Sequence, residues 1–163
     1  MAGADGQTVA MIRTLTRRLG RRRWFAAVFR LLVPADRLVS RLTSGRVVAL
    51  GLVPSLLLTT TGRRSGQPRS NPLLYVRDGD SWVVVGSNWG QTHQPAWVHN
   101  LTADPSATVT VGGAVHPVRA CRADGTERDR LWALLVAVWP AYPVYAERAG
   151  GRPIEVFRLE PTS

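Results

Sequence analysis

Ser55-Leu56-Leu57-Leu58-Thr59-Thr60-Thr61-Gly62-Arg63-Arg64-Ser65-Gly66-Gln67-Pro68-Arg69-Ser70-Asn71-Pro72-Leu73-Leu74-Tyr75-Val76-Arg77 is the stretch on which the fold turns. Leu56 to Thr61 is apolar and then β-branched, the composition of a strand laid on a core. Gly62 ends it, and Gly62-Arg63-Arg64-Ser65-Gly66 has the glycines and short polar side chain of a turn. Gln67 to Arg77 reads as the returning strand. Pro68 and Pro72 lack the N–H that a central strand must donate, so this strand belongs at a sheet edge or carries bulges.

The same texture continues towards the C-terminus. Asp78-Gly79-Asp80 is a tight turn, Ser81 to Ser87 a strand, and Asn88 to Gln94 a loop. Pro95 opens a short helix through Leu101, closed by Asp104-Pro105. Ala107 to Val111, Gly112-Gly113 and Val115 to Arg122 form a further hairpin. Asp124 is placed to cap a helix whose apolar face carries Leu131, Leu134, Leu135 and Val138, and Pro140 stops it. A Tyr/Pro-rich loop follows, and Pro153 to Glu160 supplies a last strand. Successive hairpins with helices between and after them predict an α+β fold built on an antiparallel sheet or barrel. There is no βαβ alternation, which argues against a Rossmann domain.

With 163 residues, 45% of them hydrophobic, the chain suits one domain with a real core. All 21 basic residues are arginine, so lysine Schiff-base and Walker-lysine chemistry are excluded. The formal charge of +10 is unevenly placed: residues 1–48 carry ten arginines against Asp5 and Asp36, whereas the remainder is nearly neutral. The expected division is a basic amphipathic helical arm, residues 1–47, and a domain, residues 48–163. In the arm, Ile12, Leu15 and Leu19 share one helical face opposite Arg13, Arg17, Arg18 and Arg21. A second stripe runs through Trp24, Phe25, Val28, Phe29 and Leu32. Two readings stand side by side: residues 9–33 rest on an anionic membrane surface, or they pack on their own domain with the arginines solvated. The apolar stretches are too short and too interrupted for a signal peptide or a spanning helix, so a cytoplasmic location is expected.

Several residue groups could carry chemistry. Arg63, Arg64 and Arg69 crowd one glycine-flanked turn; guanidinium forks and open backbone amides suit phosphate or carboxylate, and a solvated basic hairpin is the alternative. Gly86-Ser87-Asn88-Trp89-Gly90 sets small and amide residues around a tryptophan at a strand end, where a flat ring could sit or where Trp89 merely covers the barrel end. Trp139-Pro140-Ala141-Tyr142-Pro143-Val144-Tyr145 could form an aromatic pocket wall with two phenols, or simply pack. His93, His99 and His116 have no ligand-spaced partners, so no metal is expected. Cys121, the single cysteine, reads as a small buried residue. No Gly-x-Ser-x-Gly elbow or triad is present.

Leu57 to Leu73 strongly resembles the signature of the deazaflavin (coenzyme F420)-dependent nitroreductase and quinone reductase family of actinobacteria. Val85-Gly86-Ser87, Pro95 to Leu101, Trp139 to Tyr145 and the final Glu160-Pro161 match in order, so the resemblance covers about residues 48–161. It implies a split β-barrel related to the FMN-binding barrels, with flanking helices. It implies coenzyme F420 as cofactor, and hydride transfer to a quinone or similar electrophile, a nitro compound included. Arg63, Arg64, Ser65 and Arg69 would anchor the phosphodiester and oligoglutamate tail. Ser70, Asn71, Pro72, Leu73 and Leu74 would line the cofactor groove. Val85, Gly86, Ser87 and Asn88 would approach the deazaflavin ring, with Ala96, Trp97, Val98, His99 and Asn100 on its other side. Tyr142 would close the pocket, and Ser87, Tyr142 and Tyr145 would give catalytic hydrogen bonds.

The chain departs from the family pattern at three places. Arg64 stands where relatives often have lysine, Asn88-Trp89 where a Lys-Gly pair is usual, and Trp139 where the characterised nitroreductase has tyrosine. Two other functions compete: a deazaflavin or lipid carrier without quick turnover, and a basic nucleic-acid-binding module. The second is disfavoured because only Trp24 is interleaved with the arginine-rich arm, so no nucleic-acid partner is expected. A monomer and a homodimer are equally compatible with the sequence.

Overall fold

The computed structural model describes residues 54–162; the arm and both readings of it lie outside the described residues. Seven strands form one sheet: β1 (Ser55–Thr61), β2 (Pro68–Leu74), β3 (Val76–Asp78), β4 (Ser81–Val85), β5 (Ser106–Val111), β6 (Ala114–Arg122) and β7 (Val156–Pro161). Their order is β2-β1-β5-β6-β7-β4-β3, with every pair antiparallel. Three helices accompany them: α1 (Ala96–Ala103), α2 (Gly125–Val138) and α3 (Tyr142–Arg148).

The returning strand predicted from Gln67 to Arg77 is divided at Tyr75 into β2 and β3, which lie at opposite ends of the strand order. In a flat sheet those edges would be roughly 29 Å apart, six gaps of about 4.8 Å. A single residue reaches at most about 3.6 Å. The sheet therefore curls until its two edges meet, and β2 comes to lie against β4. The edge position expected from Pro68 and Pro72 is where β2 stands, paired only with β1 among the described residues.

Curling gives the sheet two apolar faces. Inside lie Leu56, Leu58, Trp82, Val84, Val109, Val118, Phe157 and Leu159, plugged by Trp97, Val98 and Leu101 of α1. Outside, Val83, Val85 and Val156 are covered by Leu131 and Leu135 of α2 and by Trp139, Tyr142 and Tyr145. Alternate β4 residues thus enter different cores, which explains the unbroken Trp-Val-Val-Val run; a strand with one wet face would alternate.

Three local expectations are corrected. The Tyr/Pro-rich loop is the helix α3, because Pro143 falls in its first turn, where a missing N–H costs nothing. The loop from Asn88 contains a short 3-10 turn, Asn88–Gly90. On α2, Leu131 and Leu135 are buried, but Leu134 is 38% exposed and the helix instead turns Trp132 and Val136 towards the core. Leu131→Ala should therefore cost about 2–5 kcal/mol in urea unfolding, and Leu134→Ala under about 1 kcal/mol.

A forked ion pair ties α2 to the β3–β4 hairpin: Arg130 Nη1 and Nη2 each donate to one Asp78 oxygen at 2.8 Å. The hydrogen bond from Arg130 holds the Asp78 carboxyl below its ordinary value of 3.8. The pair's contribution is complete above that ordinary value and is lost as pH falls through the lower folded pKa. Asp78→Asn should lower stability only slightly at pH 7, since Arg130 is half exposed. The difference from the parent should shrink in urea melts carried down through pH 3.

Candidate functional site

The division at Tyr75 also interrupts the ladder. Continuing the β3–β4 register beyond Val76↔Val83 would set Leu74 opposite Val85, yet β2 leaves β4 there and bonds to β1. The ladder is therefore split between β2 and the end of β4, with Ser70 to Leu74, all half-buried, on one side and Val85 to Asn88 on the other. Two of the predicted binding blocks thus face one split in the barrel. The arginine turn sits at the far end of β2, joined to it through Arg69.

The turn is built by its own backbone and by α1. Gly66 N–H donates to Gly62 O at 2.7 Å, and Gly62 N–H to Gln67 O at 2.9 Å. Asn100, only 5% exposed, accepts from Arg63 N–H through Oδ1 at 3.1 Å and donates through Nδ2 to Thr60 Oγ1 at 3.0 Å. Thr60 is itself buried. One amide side chain therefore fixes the start of the turn to the barrel plug. Asn100, expected beside a cofactor ring, has its side chain committed to that fixing role.

Arg63, Arg64 and Arg69 are exposed, and none of them meets a carboxylate among the described residues. Arg69 Nη2 makes one long bond, 3.4 Å, to Ser65 Oγ. Elsewhere, Arg122, Arg128, Arg130 and Arg158 are each set against an acid. Three unpaired guanidiniums in one ordered turn repel each other and favour an anion with several charges.

At the other end of the split, Gly86 follows β4. A Cβ there would lie 2.8 Å from Val98 Cγ2, so α1 packs directly on the backbone and only glycine allows the approach. Asn88 (φ 45°) and Trp89 (φ 57°) are both left-handed. Trp89 meets Tyr145 edge-on at 5.9 Å, Tyr145 meets Tyr142 at 6.2 Å, and Tyr142 leans on Trp132 at 6.0 Å. Tyr142 and Tyr145 are buried in the outer core, and burial pushes both phenols well above their ordinary range, against an opposing pull on Tyr145 from Trp139. Both stay protonated near neutral pH. Tyr145 Oη is enclosed and has no partner of ordinary hydrogen-bond geometry.

Of the α1 residues, Trp97 and Val98 are buried in the barrel interior, whereas Ala96 and His99 are exposed. Ser87 is half-buried beside the strained pair. Arg152 was not among the sequence-predicted residues. It lies between α3 and β7 and donates to the carbonyls of Gly86, Ser87 and Gln91. Nothing in the sequence near Arg152 announces bonds to residues more than sixty positions away.

A family profile described as F420H(2)-dependent quinone reductase matches residues 34–161. The chain belongs to this family. An F420H(2)-dependent quinone reductase of Mycobacterium tuberculosis (strain H37Rv) is 40% identical over 101 residues, 60% of this chain and 68% of that protein. A solved F420-H2 dependent reductase, FDR-A, is 36% identical with a TM-score of 0.61, covering 66% of this chain and 94% of that one. A second solved chain, described as a domain-swapped dimer, is 31% identical with a TM-score of 0.62, covering 77% and 96%. The protein is therefore an F420-dependent reductase on a split β-barrel, with coenzyme F420 as its cofactor. The reductase's arginine turn suits that group chemically: its three guanidiniums, set against no carboxylate among the described residues, complement a tail of phosphodiester and glutamates.

Asn100→Ala in the reductase would strand the Arg63 N–H and leave the buried Thr60 hydroxyl only its long bond to Arg69 O, 3.4 Å. The expected loss is about 1–3 kcal/mol of unfolding free energy. A Thr60→Val/Asn100→Leu double variant, which removes both buried polar partners, should recover part of it in the same urea titration.

Proposed function

We propose that the enzyme transfers a hydride from reduced coenzyme F420 to a quinone, with the cofactor's tail on the arginine turn and its ring at the split between β2 and β4. The observation that carries this reading is the turn of three unpaired arginines locked to α1 by Asn100. Bound reduced F420 supplies a two-electron hydride from carbon 5 of its ring and is a poor one-electron donor.

Arg63, Arg64 and Arg69 hold the anionic tail, and Ser65 helps set the Arg69 side chain. Ser70, Asn71, Pro72, Leu73 and Leu74 form one wall of the split, and Val85, Gly86, Ser87 and Asn88 the other. Ala96 and His99 offer the outer surface of α1, while Trp97 and Val98 support it from within. The protein's catalytic task is to hold donor and acceptor at about 3–3.5 Å and to stabilise negative charge arising on the acceptor oxygen. Ser87 and the protonated Tyr145 hydroxyl are the donors for that charge. Tyr142 packs on Tyr145 and fixes its ring. Asn88-Trp89 narrows the acceptor side of the split, which favours flat quinones over nitro compounds.

The basic arm, residues 9–33, brings the enzyme to an anionic membrane face where lipid-soluble quinone resides. Arginine charge and the Trp24/Phe25 stripe support this reading, and no helix among the described residues is long and apolar enough to cross a membrane. Replacing Arg21, Arg22 and Arg23 by Glu should abolish co-sedimentation of the full chain with vesicles containing anionic lipid.

The central test follows oxidation of reduced F420 by menadione through the deazaflavin absorbance. Turnover is expected in the parent. Arg64→Ala/Arg69→Ala should weaken F420 binding at least tenfold, about 1.4 kcal/mol or more. Parent binding should weaken as salt rises, and the variant's should do so less steeply. Unchanged affinity in the double variant would sink the tail assignment, and tight binding without reduction of any acceptor would identify a carrier instead.

A further inference from the structure

Ser87 to Gln94 has no strand partner, yet it carries two adjacent left-handed residues, neither of them glycine. For a residue as bulky as Trp89 this conformation is strained and persists only where the surroundings enforce it. The loop's own contribution is small: Gly90 N–H donates to Ser87 O, Gln91 N–H to Asn88 O, and Asn88 Nδ2 to His93 O. The stronger constraint comes from outside. Arg152 Nη2 donates to Ser87 O at 2.8 Å and Nη1 to Gly86 O at 3.0 Å. Nη1 also donates to Gln94 Oε1 at 2.7 Å, and Nε to Gln91 O at 2.9 Å. Gln94 Nε2 returns a bond to Pro153 O at 2.9 Å, closing the ring of contacts on Arg152's own neighbour.

We propose that Arg152 is the positioning residue of the split: its fork grips the loop before and after the Asn88–Trp89 pair and holds Ser87 where the acceptor must meet it. The geometry fits a planar guanidinium, whose nitrogens point in several directions at once. A lysine would present one point charge and could not span both ends of the loop. Gly90 supplies the opposing surface, since a Cβ there would lie 2.8 Å from Arg148 Cβ and 2.9 Å from Tyr145 O. The strained turn is thus pressed onto α3 on one side and pulled by Arg152 on the other. This role rests on the reading of Val85 to Asn88 as a wall of the cofactor split.

The test compares Arg152→Gln and Arg152→Lys with the parent, full chain, by hydrogen exchange without cofactor and by fluorescence titration with F420. In Arg152→Gln, the amides of Gly86, Gly90 and Gln91 should exchange at least tenfold faster while those of β1 and β5 keep parent rates. The F420 dissociation constant should rise at least fivefold. Arg152→Lys should stay within twofold of Arg152→Gln in both measurements. Parent-like exchange in Arg152→Gln, faster exchange with unchanged F420 affinity, or full restoration by lysine would each overturn the proposal. If Arg152→Gln does not fold, Gln94→Leu removes one acceptor of the grip and is read in the same two ways, with the same outcomes deciding. Should the parent itself fail to bind F420, the cofactor placement falls, and the exchange rates alone decide whether Arg152 holds the loop.

Discussion

Everything in this domain follows from the break at Tyr75. One extended stretch serves both edges of a seven-stranded sheet, its first half bonded to β1 and its second to β4. That shared strand forbids a flat sheet and forces two apolar faces to be covered, one by α1 and one by α2 with α3. It also leaves a seam, because a strand that bends away from β4 to reach β1 cannot complete the ladder on both sides. At that seam the ladder is interrupted between β2 and β4. The cofactor position proposed there needs no dedicated insertion.

The electrostatics divide along the same lines. Outside the arm, arginine is used in separate ways. Arg130 and Arg158 join elements through carboxylates, Arg77 and Arg128 stack on Trp82 and Trp132, and Arg152 satisfies loop carbonyls. Arg63, Arg64 and Arg69 do none of these. Leaving three like charges together in a turn is unfavourable in the isolated protein, and the fold offsets it by burying Asn100 and Thr60 as a neutral, fully bonded bridge beneath. Burying an amide pair costs far less than burying a counter-ion, and among the described residues it leaves the cations without a carboxylate.

How much of this was legible in the sequence depends on the range of the forces involved. The hairpin of Leu56–Thr61, the edge strand marked by Pro68 and Pro72, and the arginine turn are local, and residue type alone disclosed them. Pro143 misled because proline is a helix breaker only in the interior; at the first turn it begins α3. Leu134 misled because periodicity locates a stripe but not which edge of it the sheet covers, and Trp132 took the place assigned to it. The resemblance to relatives grouped several blocks as one site, but it did not give their separate structural duties. Asn100 belongs to the binding block, yet its side chain is spent on Thr60 and Arg63, a partnership set by how α1 plugs the barrel.

Arg152 shows the limit most clearly. A loop with no ladder still has carbonyls to satisfy, and in this fold water is kept from part of the Gly86–Gln94 segment by α1, α3 and the 3-10 turn. Burial in that setting pulls the Arg152 pKa down, yet an arginine so lowered remains charged near neutral pH, which a more easily neutralised lysine in the same place would not guarantee. The guanidinium thus brings a permanent charge and several donors to carbonyl oxygens that face the same direction. The oxygens converge because Asn88 and Trp89 turn left-handed, and the left-handed turn is tolerable because the oxygens have a common donor. The strain and its relief are thus one feature, beside the seam that the bend at Tyr75 makes.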